Sequence, residues 1–123
     1  MGYKVLIVDD STTMRKIVMR SLRQAGISVA EVKEAGDGVQ GMEALKQGEV
    51  DLILSDVNMP NMNGLEFVEK VRQELGDKPP IVMITTEGGE DFIAQALSKG
   101  ANGYIKKPFT PEKIQEVVGP FLH

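Results

Sequence analysis

The sequence predicts an α/β fold: a parallel sheet covered by helices on both faces. Three observations carry this prediction. Short apolar, β-rich runs alternate with segments of helical period along the whole chain. "VLIV" and "DLILS" read as buried strands, the latter buried on both faces. Glycine closes the helical segments, at Gly26, Gly48, Gly76 and Gly100.

Taken in order, Tyr3–Val8 reads as a buried strand. Thr12–Ala25 reads as an amphipathic helix, with Met14, Ile17, Val18 and Leu22 on one face, Ser11 or Thr12 as cap and Gly26 as stop. Val29–Ala35 alternates polar and apolar residues, which suits a strand near the sheet edge. Asp37–Gln47 is a second helix, and "DLILS" a third strand. Gly64–Leu75 is a helix, and Pro79 and Pro80 lead into the strand "IVMIT". Glu90–Lys99 follows as a helix with acids in its first turn and Lys99 in its last, as the helix dipole prefers. Asn102–Ile105 is a short fifth strand. Thr110 caps a last helix with Pro111 in first position, and Pro120 should kink or end it. Right-handed crossovers put every strand's C-terminal end on one edge of the sheet, where ligands of such folds bind.

A chain of 123 residues fits one domain, 1–123, with no room for an attached output module. Its hydrophobic share of 41% is that of a globular protein. No apolar run is long enough to cross a bilayer, and "MGYKVLIVDD" lacks the features of a signal peptide, so a cytoplasmic location is expected. Gly2 does not complete a myristoylation motif, because Leu6 stands where Ser or Thr is needed. The absence of cysteine excludes disulfides, thiolate metal sites and thiol nucleophiles. A net charge of −4, without a basic run, argues against nucleic acid as a partner. The lone His123 is the last residue, a poor place for histidine catalysis.

The predicted carboxyl edge gathers Asp9 and Asp10 from the first strand, Asp56 from the third, Thr85 and Thr86 from the fourth, and Lys106 and Lys107 from the fifth. Turn chemistry explains any one of them alone; their coincidence on one edge asks for more. Two unit charges ~4 Å apart repel by ~4 kcal/mol at a dielectric of ~20, so clustered acids call for a cation or a proton. All the ligands on offer are oxygens, which suits Mg2+, an ion that keeps waters and shares itself with phosphate; calcium sites usually gather more protein ligands. A magnesium ion and a lysine beside an aspartate would neutralise an incoming phosphoryl group. Asp56 is the best placed to act as the nucleophile and become an aspartyl phosphate, with Thr85 donating a hydrogen bond to the new phosphoryl oxygens.

The stretches "VLIVDDSTTMRKIV", "LILSDVNMPNMNGLEF", "PIVMITTEG" and "ANGYIKKPFTPEKI" resemble the receiver domain of bacterial response regulators, most closely the single-domain chemotaxis (CheY-like) type. The resemblance spans essentially the whole chain. It implies a (βα)5 flavodoxin-like, doubly wound sheet of strand order 2-1-3-4-5. It also implies Asp56 as phosphoacceptor from a histidine kinase, with Mg2+ held by the carboxylates of Asp10 and Asp56, the backbone carbonyl of Asn58, and Asp9 through a water. Thr85 is then the switch hydroxyl, Lys107 the partner of the phosphoryl group, Tyr104 the aromatic that turns inward, and the Lys107–Pro108 bond cis. The face made by the fourth helix, fifth strand and fifth helix would bind a downstream protein, such as the flagellar motor switch or another motility protein, and a phosphatase could reset the state. Such a protein is a phosphoacceptor switch with self-phosphorylation and self-dephosphorylation chemistry, not a turnover enzyme. Two departures from the chemotaxis pattern stand out. Val57 takes the place of a tryptophan, and Glu90 and Asp91 stand where lysines are expected, which counts against the motor switch as target. A stand-alone phosphorelay receiver is the alternative.

Two rivals come from different classes. Gly36, Gly38 and Gly41 form G-x-G-x-x-G with Asp56 twenty positions after Gly36, the spacing of a dinucleotide fingerprint. The preceding strand carries Glu31, Lys33 and Glu34, which marks it as an edge strand where the fingerprint needs a central one. A phosphatase with an aspartyl-phosphate intermediate would need a second acid two residues after the nucleophile. Asn58 stands there, and a carboxamide cannot shuttle a proton.

Overall fold

Side chains of successive strand residues point to opposite faces, so an apolar run must be covered twice. The computed structural model, which describes residues 2–86 and 89–122, meets that demand with two helical layers. The elements are β1 (Tyr3–Val8), α1 (Thr12–Gln24), β2 (Val29–Ala35), α2 (Gly38–Lys46), β3 (Leu52–Ser55), α3 (Gly64–Leu75), β4 (Ile81–Thr85), α4 (Glu90–Lys99), β5 (Gly103–Lys106) and α5 (Pro111–Val118). The sheet order is β2-β1-β3-β4-β5, and every pairing is parallel. Val5, Ile7, Leu52, Leu54, Val82, Ile84 and Ile105 face α1 and α5, where Val18, Leu22, Ile114 and Val118 meet them. Leu6, Val8, Ile53, Ile81 and Met83 face the other way, onto Met42 of α2, Phe67, Val68 and Val71 of α3, and Ala96 of α4. Each fully buried side chain of this kind contributes about 1.5–3 kcal/mol.

Local chemistry sets the ends of the helices. Ser11 caps α1 by accepting the N–H of Met14 at 3.1 Å, and Gly26 stops it with φ +83°. Asp37 caps α2 from outside the helix, and Asn63 and Glu66 form a reciprocal capping box on α3. Thr110 caps α5 ahead of Pro111. As Pro120 predicts, α5 ends before it, at Val118, and the chain tightens into a 3-10 turn, Gly119–Phe121. The fifth strand starts one residue later than its pattern suggests. Asn102 is drawn out of it because its side chain accepts the N–H of Ile81 at 2.9 Å and a guanidinium N–H of Arg72 at 2.7 Å. β2 is an edge strand, as its charges indicate. Among the described residues no helix is long and apolar enough to cross a membrane. His123 lies outside the described residues.

The chain leaves β1 to form β2 on one side and returns to form β3 on the other. The strand order therefore reverses between β1 and β3, and the crevice of such a fold opens there, beyond the carboxyl ends. Asp9, Asp10 and Asp56 are the residues that leave those two strands.

Candidate metal and phosphoryl site

The ladder itself holds the acids at the crevice. The N–H of Asp9 donates to the carbonyl of Ala35 at 3.0 Å, and that of Asp56 to the carbonyl of Val8 at 2.8 Å. Asp9 is 4% exposed, Asp56 is half-buried and Asp10 is exposed. Carboxylate oxygens of the three lie within 4.8 Å of one another. Asp9 Oδ1 accepts the N–H of Ser11 at 2.9 Å, and Asp56 Oδ1 that of Val57 at 2.8 Å.

Among the described residues, one amine reaches into this cluster. Lys107 Nζ stands 3.3 Å from Asp56 Oδ1 and 3.7 Å from Asp9 Oδ2. Its backbone N–H donates to the carbonyl of Thr85 at 2.7 Å, which ties the end of β5 to the end of β4. The Lys107–Pro108 peptide is cis. A single ammonium does not balance three carboxylates. Burial, aided by the charges of Asp56 and Asp10, holds the Asp9 carboxyl above the ordinary value of 3.8, against the opposing pull of the Ser11 N–H and Lys107. The donor set fits a hard divalent ion: oxygen only, converging from two strand ends, with excess negative charge. Asn58, two residues beyond Asp56, is exposed on the loop before α3.

Comparison with known proteins decides the family. A profile of the response regulator receiver domain matches residues 5–119. The chain belongs to the response regulator receiver family. It is 47% identical over 122 residues to a chemotaxis protein CheY homolog of Campylobacter jejuni, covering 94% of this chain and 92% of that one. Among solved structures it is similar to the chemotaxis response regulator CheY4 of Vibrio cholerae, with a TM-score of 0.86 and 39% identity over 99% of this chain and 100% of the other. It is also similar to the CheY of a CheX–CheY–BeF3–Mg2+ complex from Borrelia burgdorferi, with a TM-score of 0.86 and 27% identity over 98% and 90% of the two chains.

In this receiver domain Thr85 ends β4 and is 1% exposed, while Tyr104 on the neighbouring β5 is 39% exposed and lies opposite Met83 in the ladder. Thr86 is exposed beside it. The glycines of the G-x-G-x-x-G triplet have packing roles. A Cβ at Gly38 would stand 2.6 Å from Met62, and one at Gly41 2.7 Å from the Phe67 ring, so both let α2 close against α3 and the loop before it. Gly36 donates its N–H to the side chain of Gln40 at 2.8 Å.

Three supports escaped the reading of the sequence. Arg15 of α1 donates to the carbonyl of Asp9 at 2.6 Å, to Thr12 at 3.1 Å and to Glu34 of β2 at 3.0 Å, clamping the turn that carries the acids. Gly64 lies so close to the end of β3 that a Cβ would overlap the carbonyl oxygen of Asp56. Asp37, beyond capping α2, receives the side chain of Asn61 at 2.7 Å. Only Gly64 left a signal, as the glycine inside "NMNGLEF".

Proposed function

We propose that this receiver domain is a phosphorylation-switched signalling protein of chemotaxis or motility control, acting in the cytoplasm, with Asp56 as the phosphoacceptor. The observation that carries the reading is the convergence of Asp9, Asp10 and Asp56 within 4.8 Å, with Lys107 reaching two of the three. An oxygen of Asp56 attacks the phosphorus of a kinase phosphohistidine, the P–N bond breaks, and the imidazole leaves with the electron pair. Asp10, Asp56, the Asn58 carbonyl and, through water, Asp9 would hold Mg2+, which would supply charge neutralisation to the transferring group. Lys107 then turns from the carboxylates to the phosphoryl oxygens. The Mg2+ and BeF3 named in the Borrelia complex support a metal-assisted phosphoryl site in this chain.

The signal follows from Thr85. Its hydroxyl moves to the phosphoryl group, space opens beneath β5, and the exposed ring of Tyr104 swings inward. The α4–β5–α5 face then changes its affinity for a downstream protein. CheX, the partner named in the Borrelia complex, is one example of what a CheY can bind. Glu90 and Asp91 make the start of α4 acidic, which disfavours an acidic target such as a motor-switch segment. The modified state persists because Asn58 offers no general base, until self-hydrolysis or a phosphatase removes the group.

Incubation with acetyl phosphate and Mg2+, read by intact-mass spectrometry, tests the assignment. One phosphoryl mass on the wild type and none on Asp56→Asn is the expected result. Full modification of the asparagine variant would remove Asp56 from its role.

A further inference from the structure

The loop from Val57 to Asn63, which carries Asn58, is fastened at both ends. On the acceptor side Gly64 donates its N–H to the carbonyl of Val57 at 2.7 Å. On the far side the ties run to the start of α2. Asn61, whose φ is +65°, donates its Nδ2 to Asp37 Oδ2 at 2.7 Å. Gly38 donates its N–H to the carbonyl of Met62 at 3.1 Å, and the Met62 side chain lies against Gly38. Asp37 is 4% exposed, and its other oxygen takes the N–H of Gln40 at 2.8 Å. A cap alone needs one acceptor oxygen. The second is committed to the loop.

We infer that Asp37 is a positioning residue for the metal site: through Asn61 it holds the 58–62 backbone so that the Asn58 carbonyl is preset to face the ion. This rests on the phosphoacceptor reading above, since it concerns the third protein ligand of that site. A left-handed conformation is available to asparagine but is seldom its first choice, so the side-chain bond to Asp37 is what selects it at position 61. With the bond gone, the loop must be ordered when the ion arrives, and the ordering is subtracted from affinity.

Three variants separate this role from capping, from charge and from stability. Asp37→Ser keeps a good cap but is too short to reach Asn61. Asp37→Asn also loses the charge, yet it keeps the length: Oδ1 can cap α2 while Nδ2 donates to a flipped Asn61 amide. Asn61→Gly removes the side chain at a position whose φ glycine accepts readily. Calorimetric titration of Mg2+ into each, alongside thermal melts of the metal-free proteins, is the experiment. The serine and glycine variants are expected to bind Mg2+ about tenfold more weakly, and Asp37→Asn to stay within about threefold of wild type. Combining Asp37→Ser with Asn61→Gly should weaken binding no more than either change alone. Equal affinities for the serine and asparagine variants, or wild-type affinity in Asn61→Gly, would overturn the inference while leaving Asp56 as acceptor untouched. If Asp37→Ser does not fold, Asn61→Gly decides alone. A wild type that takes up no Mg2+ would overturn both this inference and the function it builds on.

Discussion

The two ends of the sheet treat polar groups in opposite ways. At the amino end, Arg72 of α3 donates to the carbonyls of Gly100 at 2.9 Å and Gly76 at 3.0 Å and to Asn102 Oδ1 at 2.7 Å, while Asp51 accepts the N–H of Lys4 at 2.8 Å. Those charges sit beside complementary groups and lock loops together. At the carboxyl end three acids crowd around one ammonium, and the most buried of them is held above its ordinary pKa. The same strands thus have one end built for stability and one that gathers like charges, a repulsion that the proposed ion would relieve.

The sharpest way to break that contrast is steric. Gly64→Ala would push a methyl group into the Asp56 carbonyl and the Val57 backbone, so it should cost about 3 kcal/mol in urea unfolding and also misplace Asp56. Arg72→Ala is expected to cost about 2 kcal/mol by removing its three charge-assisted hydrogen bonds, yet to leave Mg2+ affinity unchanged, which would confirm that the amino end serves stability alone. At the other end the sign reverses. Asp9→Asn should raise the stability of the metal-free protein by about 1 kcal/mol while weakening Mg2+ binding.

Acid titration gives the smallest and most discriminating effect. The Gln40 N–H first, and the Asn61 amide second, hold the Asp37 carboxyl below 3.8. Its stabilisation is therefore fully present above 3.8 and lost as pH falls through the lower folded value. The gap between wild type and Asp37→Ser should be flat near neutrality and shrink only in strong acid. Asp9 behaves oppositely: its folded value lies above 3.8, so its cost is absent below 3.8 and complete above that raised value. The advantage of Asp9→Asn should grow as pH rises through that window. Denaturation midpoints measured across the acid range check both slopes.

Much of this molecule was legible in the residues because its signals are local or repeat along the chain. Alternating strand and helix patterns, with Ser11 and Thr110 at helix starts, read directly into the observed elements. Asp9, Asp10, Asp56 and Lys107 could be brought together because parallel crossovers fix where strand ends lie. What could not be read lies in side-chain contacts between distant positions. The Asp37–Asn61 bond spans 24 residues, the Arg72–Asn102 bond spans 30, and neither pair has a spacing that announces it. Asn102 itself looked like the first residue of β5 until its side chain was seen pairing with Ile81 and Arg72.

Unfolding of wild type and Asp9→Asn in urea, each with and without saturating Mg2+, tests most directly whether the carboxyl end is an electrostatic cost offset by an ion. The asparagine variant should be the more stable protein without the ion and the less stable one with it, because only the wild type gains the full binding free energy. The same ranking under both conditions, or no stabilisation of the wild type by Mg2+, would contradict the account.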